Sequence, residues 1–180
     1  MNLIERAIIF AAKAHQGQKR KATDIPYITH PFAVGMMLQQ AGCSAEVIAA
    51  GILHDTIEDT SATYDELAAQ FGKRVADLVL AASEHDKSLP WEERKQHTIA
   101  MLKTAELEEI QVIVADKLHN LRSIRQDLAS HGDTIWGRFN RGKNDQKWYY
   151  TSIVQAVAQW RDQFELISEL EEEVATVFEV

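Results

Sequence analysis

The chain has 180 residues, is 46% hydrophobic and carries one cysteine, Cys43. That length gives residues 1–180 enough interior to fold as a single domain without staples, and a lone cysteine excludes an internal disulfide or a multi-cysteine metal site. The formal charge of −8 argues against general nucleic-acid binding, and no apolar run reaches the roughly 18 residues of a membrane span.

The opening "MNLIERAIIFAAKAHQGQKRK" has helical spacing, with Leu3, Ile4, Ala7, Ile8 and Ala11 on one side. Its charges lie on the wrong side of the apolar stretch for a signal peptide, so a cytoplasmic location is expected. "GQKRKATDIPYITHP" then breaks the helix and forms a basic loop before His30. A second helix is expected from about Pro31, a residue suited to a first turn, to Gln40, stopping at Gly42. Ser44 can cap a third helix running to around Glu58. "SATYDEL" resembles a capping box, with Thr63 three residues before Glu66. That helix ends at Phe71–Gly72, and "KRVADLVLAAS" continues as another.

From Pro90, "WEERKQHTIAMLKTA" is helical and more polar. The long amphipathic stretch to Gly132 places Ile110, Ile113, Val114, Leu118, Leu121 and Ile124 on a buried side. "GDTIWGRFNRGKNDQ" reads as a loop, and a last helix is expected from near Lys147. With no alternating strand pattern and no repeat, the fold class is all-α. Residues 162–180 contain seven acidic residues and no lysine or arginine, which reads as a solvated helix face.

Residues 51–60, "GILHDTIEDT", place His54, Asp55, Glu58 and Asp59 within six positions directly after core residues. On a continuous helix, His54 and Glu58, and Asp55 and Asp59, are neighbours one turn apart. Three carboxylates so close repel unless water or a cation offsets them. An exposed acidic helix end with a core histidine is the alternative. His30 opens a helix, and Asp116 follows four residues without charge, where an isolated carboxylate is costly unless paired or metal-bound. Imidazole nitrogen with carboxylate oxygen suits Mn²⁺, Fe²⁺ or Zn²⁺.

The order His, then His-Asp, then a distant Asp resembles the HD superfamily of metal-dependent phosphohydrolases. "AHQGQKRK…PYITHP", "LHDTIEDT", "FGKRVADLV" and "ADKLHNLRS" are similar to successive motifs of the hydrolase domain of RelA/SpoT-type proteins, over roughly residues 4–126. The resemblance implies an HD-domain helical bundle with a C-terminal helical part at 127–180. It implies cleavage of the 3′-pyrophosphate of (p)ppGpp-like alarmones, to a guanosine 5′-phosphate and pyrophosphate, with one divalent ion, Mn²⁺. It makes His30, His54, Asp55 and Asp116 the metal ligands, Glu58 and Asp59 the acidic pair on the attacking water, and Arg20, Lys21 and Asn120 substrate contacts. It further implies a stand-alone hydrolase version, whose partner is a small nucleotide, not nucleic acid or membrane. The oligomeric state is open.

Two stretches depart from the family pattern. Ala22 replaces a common glycine in a loop one residue longer, and "ASEHDKSLPWEERK" replaces a usual Thr-Lys pair. An HD phosphohydrolase for other nucleotides, such as adenine alarmones or nucleoside phosphates, is therefore an alternative. A nucleotide sensor without turnover is another, against which the Glu58–Asp59 pair argues. His15 suits either a helix-end cation or a wall of the site. His85, in a polar stretch, has no evident partner. Arg138, Lys143 and Tyr149 join cations to an aromatic ring, a mix suited to a purine and its phosphates. The alternative for the aromatic residues there is ordinary core packing.

Overall fold

The first helix begins where Asn2 supplies an acceptor. Its side chain takes the Glu5 amide while the Glu5 carboxylate takes the Asn2 amide, a reciprocal cap on α1 (Leu3–Ala14). This computed structural model describes residues 1–21, 23–84 and 86–179, so Ala22 and His85 lie outside the described residues. α2 (Thr29–Gln40) carries Pro31 in its first turn. Ser44 caps α3 (Ala45–Leu53) by accepting the Val47 amide. After α4 (Thr56–Asp59), Thr63 accepts the Glu66 amide and opens α5 (Tyr64–Phe71). Gly72, at φ +92°, takes a left-handed turn that lets α6 (Lys73–Ala82) start at once. α7 (Trp91–Leu102), α8 (Leu107–His131), α9 (Lys143–Val157) and α10 (Leu166–Phe178) complete the order. Among the described residues the β structure is one isolated bridge, Lys19 to Pro26, so the fold is all-α as expected.

Three expected elements differ. The helix capped by Ser44 does not run to Glu58 but ends at Leu53. His54 Nδ1 donates to the Gly51 carbonyl and Thr56 Oγ1 to the Leu53 carbonyl, each at 2.7 Å. Side chains thus engage the oxygens that the next turn's amides would use. The last helix is likewise two: α9 starts earlier, at Lys143, and a 3₁₀ turn at Ala158–Trp160 separates it from α10. Gly132–Arg138, expected as loop, is a 3₁₀ helix.

The chain forms two compact units. The first comprises residues 1–85 and 106–116. Its centre is α3, in which every residue from Val47 to Leu53 is buried, with α1, α2 and α6 against it. α2 and α3 meet at two glycines: a Cβ on Gly35 would lie 2.4 Å from Ile52 Cγ1, and one on Gly51 2.3 Å from Leu38 Cδ1. The absent side chains set this close approach.

The second unit comprises residues 86–105 and 117–180. Here the acidic C-terminal stretch is not simply solvated. Glu173 is buried with Arg125 Nε 2.9 Å from its Oε1, Glu169 pairs with Arg122 at 2.5 Å, and Glu171 with Arg161 at 2.6 Å. Basic partners arrive from distant or preceding positions, which a local charge count does not see. No helix of the described residues is long and apolar enough to cross a membrane.

Candidate functional site

The close α2–α3 approach places His30, in the first turn of α2, beside His54, the residue after α3, with ring centroids 5.1 Å apart. Asp116 arrives from α8 in the same unit, following the buried run Val112 to Ala115. One ligand atom each of His30, His54 and Asp116 lies within 4.8 Å of the others. Asp116 Oδ1 is 3.1 Å from His30 Nε2 and 3.5 Å from His54 Nε2. Asp55 Oδ2 is 3.0 Å from His54 Nε2 and 3.6 Å from His30 Nε2. All four residues inferred as ligands therefore converge.

The donor set fits a divalent cation. A carbonyl only accepts, so the bond to Gly51 fixes the proton of His54 on Nδ1. Nε2, fully buried, then faces carboxylate oxygens with no aligned hydrogen-bond partner. A cation would satisfy nitrogen and oxygens together. Protons report the same field. Burial lowers the pKa of His30. Burial also disfavours a charged His54, but the adjoining Asp55 and Asp116 outweigh it and carry His54 well above 6.5. Burial would raise Asp55, yet His54 beside it holds the carboxyl at about 2.

Tyr27 was not among the residues singled out from sequence. Its hydroxyl donates to Asp55 Oδ2 at 2.5 Å, and its ring lies 5.0 Å from His15 and 6.0 Å from His30. The available signal was its place in "PYITHP", one turn before His30. His15 is buried behind this ring, its Nδ1 donating to Gln18 Oε1 at 2.8 Å.

Glu58 and Asp59 sit on α4, one short helix beyond the cluster. Glu58 is half-buried and its Oε2 accepts the Glu84 amide at 3.1 Å, whereas Asp59 is exposed. Gln18 Nε2 donates to the Asp59 carbonyl at 2.9 Å. The Arg20 guanidinium lies 5.9 Å from the Tyr27 ring centroid, and Lys21 is exposed. Lys19, between them and the helix, pairs with Asp24.

Four inferred contacts belong to the second unit. Asn120 is half-buried on α8. Arg138 faces Asp127 at 3.6 Å, and Lys143 lies 3.8 Å from Asp133 and 5.9 Å from the Trp136 ring centroid. Tyr149 is buried, with Lys95 Nζ 4.8 Å from its ring centroid and Trp91 at 6.1 Å.

Residues 7–146 match the HD domain family. GTP pyrophosphokinase of Streptomyces coelicolor is 41% identical over 125 residues, 68% of this chain and 15% of that protein. The bifunctional (p)ppGpp synthase/hydrolase SpoT of Escherichia coli K12 is 39% identical over 127 residues, 67% of this chain and 18% of that protein. The chain thus spans 15–18% of these long relatives. The guanosine-3′,5′-bis(diphosphate) 3′-pyrophosphohydrolase MESH1 of Danio rerio is 40% identical over 120 residues, 65% of this chain and 66% of that one. A crystal structure of a Listeria monocytogenes protein superposes with a TM-score of 0.78 at 42% identity, covering 84% of this chain and 99% of that one. A metazoan ortholog of SpoT, described as hydrolysing ppGpp, gives 0.78 at 25% identity, over 98% and 95% of the two chains. With its His, His-Asp and Asp side chains converging in the order of the motif and the family match running over most of its length, the chain belongs to the HD domain family.

Proposed function

We propose that this protein is a metal-dependent phosphohydrolase that removes the 3′-pyrophosphate from (p)ppGpp-like nucleotides, with Mn²⁺ as its ion and residues 1–180 acting as one hydrolase domain. The observation that carries the reading is the cluster of buried His30, His54 and Asp116 with half-buried Asp55 beside them, and a half-buried carboxylate, Glu58, on the short helix that follows. The names of relatives such as MESH1 of Danio rerio supply the substrate class.

In the reaction, the oxygen of water bonds to the phosphorus nearer the ribose. The bond from that phosphorus to the 3′-oxygen breaks, and the 3′-oxygen leaves with a proton. A bound divalent ion lowers the pKa of water and polarises a phosphoryl oxygen. His30, His54, Asp55 and Asp116 would hold it. Glu58, fixed by the Glu84 amide, accepts the proton of the attacking water, and Asp59 orients that water. Arg20 and Lys21 bind phosphate oxygens, with Arg20 also able to stack on a purine. Asn120, Arg138, Lys143 and Tyr149 complete the substrate contacts in this proposal. A nucleotide substrate and a lone cysteine fit a cytoplasmic protein.

A substrate panel tests the assignment. Protein supplied with Mn²⁺ should release pyrophosphate, not orthophosphate, from ppGpp, and should leave nucleoside monophosphates and adenine dinucleotides intact. Cleavage of those others with ppGpp untouched would reduce the claim to an HD phosphohydrolase of different specificity. Tight ppGpp binding without product would make it a sensor.

A further inference from the structure

Asp55 occupies the N-cap position of α4. Its backbone there is right-handed helical, at φ −93° and ψ −3°, not the extended conformation from which an aspartate makes a capping bond to the amides ahead. Asp55 makes no such bond. Its carboxylate turns instead toward His54 and His30. The Tyr27 hydroxyl donates at 2.5 Å to the same Oδ2 that faces both imidazoles, so this oxygen is shared between the phenol and the imidazoles. A carboxylate oxygen has two lone pairs, so Oδ2 can accept this bond and still face the histidines.

We propose that Tyr27 is a positioning residue, whose hydroxyl fixes the Asp55 carboxylate in the orientation that faces His54 and His30 and so presets the four-residue site for a divalent cation. The proposal rests on the reading of the cluster as a metal centre. Tyr27 is itself fixed from several directions. Its amide donates to the Gln18 carbonyl at 2.9 Å. Its ring packs near His15 and His30, with the Arg20 guanidinium 5.9 Å from its centroid. The phenol therefore reaches Asp55 from a braced ring. Partners that orient metal ligands commonly affect metal affinity about 10–100-fold when removed.

Tyr27→Phe keeps the ring and deletes only the hydroxyl. Calorimetric titration of metal-stripped protein with Mn²⁺, without nucleotide, should show affinity weakened about 10–100-fold. At saturating Mn²⁺ the KM for ppGpp should be unchanged and kcat largely recovered. Leu78→Ala, a truncation of a fully buried α6 residue, is the control for general loosening and should leave Mn²⁺ affinity as in wild type. Wild-type affinity in Tyr27→Phe, or equal weakening in Leu78→Ala, would overturn the proposal alone. A wild-type protein that takes up no divalent ion would remove the metal-centre reading as well.

Discussion

His54 ends a helix and begins a site with the same ring. Nδ1 takes the Gly51 carbonyl and helps close α3, which leaves Nε2 directed at Asp55 and Asp116. Glu58 lies outside that cluster and is held by a backbone amide, so its contribution should separate from metal binding. Glu58→Gln should lower kcat by about 10²–10⁴-fold while calorimetric Mn²⁺ affinity stays at the wild-type value. Equal loss of both would place Glu58 among the ligands instead. The four inferred ligands were legible in sequence through their likeness to the HD motif, and Asp116 also through the cost of an isolated carboxylate in a core. Asp116 after Val112–Ala115 is the plainest case. Tyr27 was not, since a tyrosine before a helix is ordinary and its meaning depends on which way Asp55 turns.

At the scale of elements, caps and punctuation carried most of the fold. Ser44, Thr63 and Gly72 mark helix ends that the structure keeps. The break at His54 was hidden because the residues around it have helical spacing, and the interruption comes from side chains taking carbonyls. The split between α9 and α10 was hidden for a similar reason, as apolar residues recur on both sides of the 3₁₀ turn. The close packing at Gly35 and Gly51 decides whether His30 and His54 meet. Gly51→Ala forces a methyl to within 2.3 Å of the fully buried Leu38. It should cost about 1–3 kcal/mol in denaturant unfolding. Because the α2–α3 spacing changes, Mn²⁺ affinity should also fall. A variant as stable as wild type would contradict this account of the crossing.

Across the whole molecule, the metal-free protein and its pH dependence are linked. His54 has its pKa raised above 6.5, so the stability it contributes is complete below pH 6.5 and is lost as pH rises through the raised value. Asp55 is depressed from 3.8 to about 2, so its contribution is present above pH 3.8 and is lost as pH falls through about 2. A divalent cation takes the place of the His54 proton, so binding releases a proton and strengthens with rising pH. The rise in Tm produced by a fixed Mn²⁺ concentration should therefore be larger at about pH 8 than at about pH 6. An equal or larger rise at the lower pH would contradict it. The net charge of −8 was legible, but its distribution was not, because Arg122 and Arg125 reach Glu169 and Glu173 across the sequence.

The central claim is that the His30–His54–Asp55–Asp116 cluster makes this chain a metal-dependent hydrolase of 3′-pyrophosphorylated guanosine nucleotides. Its most direct test follows ppGpp by phosphorus NMR with metal-stripped protein before and after Mn²⁺ addition, beside Asp55→Ala. The account predicts free pyrophosphate and a guanosine 5′-phosphate from wild type only after Mn²⁺, and none from Asp55→Ala despite a wild-type circular dichroism spectrum. Equal turnover in stripped wild type, or undiminished turnover in Asp55→Ala, would contradict it.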